Sequence, residues 1–181
     1  MNVSFKANYI CNSQVSKNNK PCSLSFVQID TKNTSDIIAL KELGYMYGKN
    51  TYFSDIFDNA NLDYLYGFNS KYKQYYALTT QTKDFNKLDS EQILGLVQVE
   101  PDEHYNEIKY LQVLPTQNYS NPEREYKNIG SSIIDTVTKI YPNKKLMLYS
   151  TDAALNFYKK IGFVQDESEK RYNKMYLDKN M

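Results

Sequence analysis

The order in which the hydrophobic period changes along this chain limits its possible folds more than any other feature. Ser23–Ile29 (Ser-Leu-Ser-Phe-Val-Gln-Ile) alternates polar and apolar residues, the period of a strand with one buried face. Asp30–Ser35 is a turn-and-cap cluster, and Ser35 precedes Asp36–Leu43, whose apolar residues recur at helical spacing. A second helical stretch runs from Tyr52 to Leu65 and carries Asp55, Asp58 and Asp63. The period then returns to two: Tyr75–Thr80, Gln92–Glu100 and Ile108–Pro115 read as strands, with a polar loop Gln81–Glu91 and a proline stop. A polar loop, Thr116–Lys127, leads into Ile129–Tyr141, where Ile129, Ile133, Ile134, Val137 and Ile140 share one helical face. Lys145–Tyr149 is a short strand, and Ala153–Ile161 a helix closed by Gly162 in the left-handed capping position. Phe163–Gln165 and Lys174–Leu177 finish as strands. The first 20 residues are polar and read as a short strand, Phe5–Ile10, in a loosely ordered segment. The order β-αα-βββ-α-β-α-ββ predicts a single α/β domain over 1–181: a mixed sheet with helices on both faces.

Composition narrows the function. The 22 Lys+Arg nearly cancel the 21 Asp+Glu, leaving no cation excess to displace counterions. A nucleic-acid or membrane-surface binder is therefore not expected. The 18 Tyr accompany abundant Lys and Asn and only two arginines, Arg124 and Arg171, as A/T-rich coding would produce. A single Tyr thus means little without a motif around it. One histidine, His104, and two cysteines, Cys11 and Cys22, leave no multi-ligand zinc site, and no metal is expected. A Ser-His-Asp arrangement would have to run through His104, and no GxSxG stands nearby. The cysteines read as free thiols. Without a basic-then-apolar leader or an apolar run of about 18 residues, the expectation is a soluble, cytoplasmic protein.

The segment Val113–Ile134 carries the most chemistry. A strand, a proline and a polar loop lead to a turn that opens an amphipathic helix, whose first N–H groups point outward. With the helix dipole these donors suit a phosphate or pyrophosphate. Gly130 gives a ligand room at the backbone, Ser131 and Ser132 are small, and Lys127 adds a charge. Asn128 is the non-glycine type best suited to a positive-φ turn. No GxxxxGK[ST] is present, and one glycine stands where a dinucleotide fingerprint wants three.

One strand later comes Ala154-x-x-Phe157-Tyr158-x-Lys160-x-Gly162-Phe163. Together with the glycine turn it resembles the GNAT superfamily of acetyl-CoA-dependent N-acetyltransferases, over about Gln92–Leu177. The resemblance implies a GNAT-like, mostly antiparallel sheet of about six to seven strands with helices on both faces. It also implies acetyl-CoA as co-substrate. The family's turn, (Arg/Gln)-x-x-Gly-x-(Gly/Ala), holds the pyrophosphate and aligns here as Glu125-Tyr126-Lys127-Asn128-Ile129-Gly130; the register Lys127-x-x-Gly130-x-Ser132 is the alternative. Glu125 stands where Arg or Gln is usual, Asn128 replaces the first glycine, and Thr151 stands where many members have Asn. Because backbone amides do the binding, these departures are expected to weaken cofactor affinity rather than abolish it.

By the same resemblance, Leu111, Gln112 and Val113 form the strand exposed to the pantetheine arm. Lys127, Asn128, Ile129, Gly130, Ser131 and Ser132 surround the pyrophosphate, and Thr151 and Asn156 complete the cofactor site. Tyr158 takes the place of the general acid that protonates the departing thiolate. Glu107 stands where histone-modifying members carry a glutamate base; Glu100, His104 or a water relay are alternatives. Asp55, Asp58 and Asp63 lie where the family varies to choose acceptors and read either as a cationic-amine site or as a solvated face. The implied activity is direct transfer of an acetyl group to a primary amine, on a small molecule or a peptide. A catalytically weak GNAT-fold module that holds coenzyme A or a protein partner is the competing reading. A homodimer is left open.

Overall fold

The computed structural model describes residues 8–48, 51–67, 72–118 and 120–177. Among them nine strands form one sheet: β1 (Asn8–Lys17), β2 (Lys20–Ile29), β3 (Gln74–Thr79), β4 (Ile93–Pro101), β5 (Tyr105–Val113), β6 (Tyr126–Lys127), β7 (Lys145–Tyr149), β8 (Val164–Gln165) and β9 (Lys174–Leu177). The spatial order is β6-β1-β2-β3-β4-β5-β7-β9-β8. Every pairing is antiparallel except β5 with β7. The helices are α1 (Thr34–Tyr47), α2 (Tyr52–Tyr66), α3 (Ile129–Ile140) and α4 (Leu155–Lys160). The mixed, mostly antiparallel α/β architecture stands as the sequence predicts, with nine strands rather than six to seven.

β1 accounts for much of that difference: within the first 20 residues, 8–17 form a full strand where a short strand and a loose turn are expected. It pairs with β2 along its length and turns at Asn18-Asn19, both at positive φ (49° and 65°), the two-residue geometry that asparagine tolerates. Its buried positions include a serine: Ser13 lies within 2.6 Å of the Ser132 hydroxyl and 2.7 Å of that of Thr136, both on α3. A strand that buries a hydroxyl against another hydroxyl has no apolar alternation to read. The short β6 is equally invisible in the sequence, because two residues carry no period. Of the strand expected at Phe5–Ile10, only 8–10 fall within the described residues.

Local signals set the helix ends. Asn33, rather than Ser35, caps α1, its side chain accepting the Ser35 N–H at 3.0 Å. Gly162 follows α4 at φ +99°, as the sequence implies, although α4 is shorter than the expected Ala153–Ile161. Phe53, Ile56 and Ala60 of α2 and Ile129, Ile133 and Val137 of α3 are buried. The two helices cover opposite faces. On β5 the Gln112 side chain reaches the Tyr52 amide of α2, while that of its neighbour Val113 lies beside Gly130 of α3. Gly95 of β4 lets α3 sit close: a Cβ there would stand 2.9 Å from Ile133 Cδ1, 3.1 Å from the Gln112 carbonyl and 3.2 Å from Ile129 Cγ2.

Candidate functional site

The site begins where two parallel strands part. β5 and β7 pair from Tyr105/Lys145 to Ile108/Leu148; β5 then runs on to Val113 without a β7 partner. The parting coincides with a bulge, since Gln98 faces Tyr110 and Val99 faces Ile108, leaving Lys109 as the extra residue. A bulge bends its strand and increases its twist, which carries β5 away from β7. The Leu114 N–H donates to the Leu94 carbonyl of β4 at 2.9 Å. Strand backbone alternates, so the N–H and C=O of Leu111 and Val113 face away from β4 and into the splay.

The N-terminus of α3 faces the same splay. Asn128 adopts φ 66°, ψ 20°, so the left-handed turn expected of it is present without glycine. The Ser132 N–H makes the first helical bond, to the Asn128 carbonyl at 2.9 Å; those of Ile129, Gly130 and Ser131 precede it at the helix end. Gly130 has a packing role. A Cβ there would lie 3.1 Å from Phe157 Cζ and 3.7 Å from Val113 Cγ2, so glycine lets α4 close over α3.

Several side chains of this turn bond within the chain. Ser132 turns into β1 rather than outward, Ser131 Oγ donates to the Asn128 carbonyl (3.1 Å), and Lys127 Nζ donates to Asn19 Oδ1 (2.6 Å). Glu125 pairs with Lys17 at 3.0 Å, and its carbonyl accepts the Asn18 N–H at 2.9 Å. The Tyr126 hydroxyl, and then Glu125, hold the Lys17 ammonium above its ordinary value. β6 thus stitches the turn to the tip of the β1–β2 hairpin. Sequence reasoning missed this clasp. The signal available was the Asn18-Asn19 pair, which marks a hairpin but not what its tip touches.

Tyr158 of α4 stands half-buried between Phe157 (ring centroids 5.0 Å apart) and Phe163 (5.4 Å), both edge-on. Burial, and then the neighbouring Tyr52, push its hydroxyl pKa up to about 12, so it keeps its proton at neutral pH. Tyr52 opens α2 and packs on Tyr110 of β5 at 5.2 Å, adding two aromatics that sequence reasoning did not single out. Leu111, Gln112 and Val113 line the β5 side of the splay, Gly130 of α3 packs beside Val113, and Tyr158 neighbours Tyr52, whose N–H Gln112 holds. Thr151 lies exposed in the turn before α4, and Asn156 is exposed on α4.

The other candidates lie apart. Glu107 sits opposite Met147, where β5 and β7 are still paired, and binds Lys109 at 3.3 Å. Burial opposes the Lys109 charge, but Glu107 more than offsets it. Glu100 of β4 faces Glu107 of β5 across the strand pair and accepts from Gln98 Nε2. His104 is exposed in the β4–β5 turn, at the opposite end of β5 from Val113. Asp63 is buried and bonded to the Tyr75 hydroxyl (2.7 Å) and Lys73 (3.3 Å), so it is not part of a solvated face; Asp55 and Asp58 are exposed. Among the described residues no three His, Cys, Asp or Glu side chains cluster as metal ligands, and no helix is long and apolar enough to cross a membrane.

The splayed parallel pair with a helix N-terminus at its mouth is the architecture of GNAT acetyltransferases, and the chain has their fold. The PaiA N-acetyltransferase from Thermoplasma acidophilum, in complex with coenzyme A, matches with a TM-score of 0.55 at 14% identity, over 87% of this chain and 99% of its own. Tetrahymena GCN5 matches with a TM-score of 0.53 at 12% identity, over 86% of this chain and 95% of its own. AtaTR bound with AcCoA gives 0.53 at 14% identity, over 85% and 92%. No protein-family model matches the sequence, and no curated protein matches it.

Proposed function

We propose that this chain is an acyl-CoA-dependent N-acyltransferase that moves the acetyl group of acetyl-CoA directly to a primary amine, and that residues 1–181 form one such domain. The convergence of three features on one splay carries the reading: an outward-facing backbone edge at Leu111 and Val113, a helix N-terminus at Ile129–Ser131, and a protonated tyrosine, Tyr158. The edge offers donors and acceptors that match the two amides of a pantetheine arm. The N–H groups of Ile129, Gly130 and Ser131 supply donors for a pyrophosphate, with Asn128 setting the turn. Bound there, acetyl-CoA supplies an activated thioester.

In the transfer the neutral amine nitrogen bonds to the acetyl carbon and the carbon–sulfur bond breaks. Tyr158 gives its proton to the departing sulfur, and the nitrogen loses one to water or to a carboxylate. Backbone N–H groups on the splay edge act as donors to the carbonyl oxygen as charge grows on it. Glu107, paired with Lys109 at 3.3 Å, remains the candidate base. The near-zero net charge suits an anionic ligand held by backbone rather than by a basic surface.

A second reading, a module that binds coenzyme A without turning it over, is favoured by the turn's own side chains. Glu125 and Lys127 are engaged with Lys17 and Asn19, leaving the backbone to hold the cofactor. Calorimetry with acetyl-CoA, followed by thiol release across a panel of small amines and lysine peptides, separates the two. Binding with release supports the enzyme, and binding without release on any acceptor supports the module. No binding at millimolar acetyl-CoA removes both.

A further inference from the structure

The side chain of Gln112 bridges two parts of the site that backbone pairing leaves unconnected. Its Oε1 accepts the Tyr52 N–H at 3.0 Å, and its Nε2 donates to the Val113 carbonyl at 2.7 Å. The two partners fix the amide's orientation, since a backbone N–H requires oxygen and a carbonyl requires nitrogen. Tyr52 is the first residue of α2, and the preceding Thr51 makes no side-chain cap, so Gln112 caps this helix from across the sheet. The Val113 carbonyl is one of the acceptors that face the splay.

We propose that Gln112 is a positioning residue that couples cofactor occupancy to the α2 wall of the site, an inference that rests on the acyl-CoA reading. A pantetheine amide that donates to the Val113 carbonyl shares the acceptor that Gln112 Nε2 holds and weakens that bond. Once that hold is shared, the Gln112 amide is less fixed, and so is its grip on the Tyr52 N–H. Tyr52 packs on Tyr110 and neighbours Tyr158, so occupancy of the splay is transmitted to the aromatics beside Tyr158. Gln112 touches no reacting atom; it acts through Tyr52.

The test is amide hydrogen exchange of the peptide at the start of α2, with and without coenzyme A, alongside calorimetry on the same samples. In the wild-type protein, saturating coenzyme A is expected to quicken exchange at Tyr52 by about threefold or more, the scale of one weakened hydrogen bond. Gln112→Ala should bind coenzyme A yet exchange quickly at Tyr52 whether or not the ligand is present. Gln112→Glu keeps an oxygen for the Tyr52 N–H but cannot donate to Val113. It should bind coenzyme A, exchange at Tyr52 at the quickened rate of ligand-bound wild-type protein, and fail to respond further to the ligand. A merely structural role would leave the response to coenzyme A intact in Gln112→Glu. Wild-type protein that binds coenzyme A with slower or unchanged exchange at Tyr52, or a Gln112→Glu that responds like wild type, overturns the coupling alone. Wild-type protein that binds no coenzyme A overturns the acyl-CoA reading and the coupling together.

Discussion

Around the N-terminus of α3, side chains tie the turn to distant parts of the chain: Glu125 to Lys17, Lys127 to Asn19, Ser132 to Ser13. A few residues away, the edge of β5 beyond Ile108 has lost its β7 partner, and at Leu111 and Val113 no strand lies beside it, although the Val113 carbonyl accepts from the Gln112 side chain. The difference follows from what each half would hold. A compact anion is gripped by N–H groups fixed in advance, so a turn without its usual glycines is serviceable if other residues hold it still. An extended arm with amides of its own needs an unpaired strand edge, which must be left vacant by the sheet. Side-chain ties mark the first region and a strand edge without a partner strand marks the second.

Substitutions on either side of this divide should separate the two properties. The largest effect is expected from Tyr158→Phe, which should lower thiol release with an accepted amine by about 10²–10⁴-fold while coenzyme A affinity by calorimetry changes little. Burial raises this acid, so the protonated form that donates persists as pH rises until about 12. Thiol release followed between pH 7 and 10 should therefore show no loss of the acid; a falling limb in that range would assign the proton to another group. A loss of coenzyme A binding in Tyr158→Phe would mean that the splay half also carries affinity.

Gly95→Ala comes next. Its Cβ would crowd Ile129, Ile133 and the Gln112 carbonyl, and urea unfolding should show a loss of about 1–3 kcal/mol. Ser13→Ala leaves the Ser132 and Thr136 hydroxyls short of a partner and should cost about 1–2 kcal/mol in the same measurement. Coenzyme A affinity should fall with it as the α3 end loosens, whereas unchanged affinity would show that the turn does not need its clasp. The smallest effect is expected from Glu125→Gln. The Lys17 pair is largely exposed, so neither the thermal midpoint nor coenzyme A affinity should move measurably. A marked change would show that the clasp works through charge rather than through the β6 pairing.

Much of the architecture was legible because helices and strands have periods that side chains must obey. The Ile129–Ile140 stripe and the alternation in Ser23–Ile29 identify elements without reference to anything distant. Asn128 and Gly162 announced their positive φ for the same local reason. The glycine turn and the Phe157-Tyr158 pair stood out as motifs, and Phe157 does pack against Gly130 at the start of α3. β1 was hidden because its buried face is partly hydroxyl, and a serine's burial is decided by the hydroxyls of α3, more than a hundred residues away.

Apart from β1 and β6, the sequence by itself therefore determined the elements and their order, since propensity, capping and turn conformation act over a few residues. Only the tertiary structure decided which groups meet. The bulge at Lys109 opens the splay, the hairpin tip clasps the turn, and Gln112 reaches from β5 to α2. These are contacts between residues far apart in the chain, and their partners are chosen by packing.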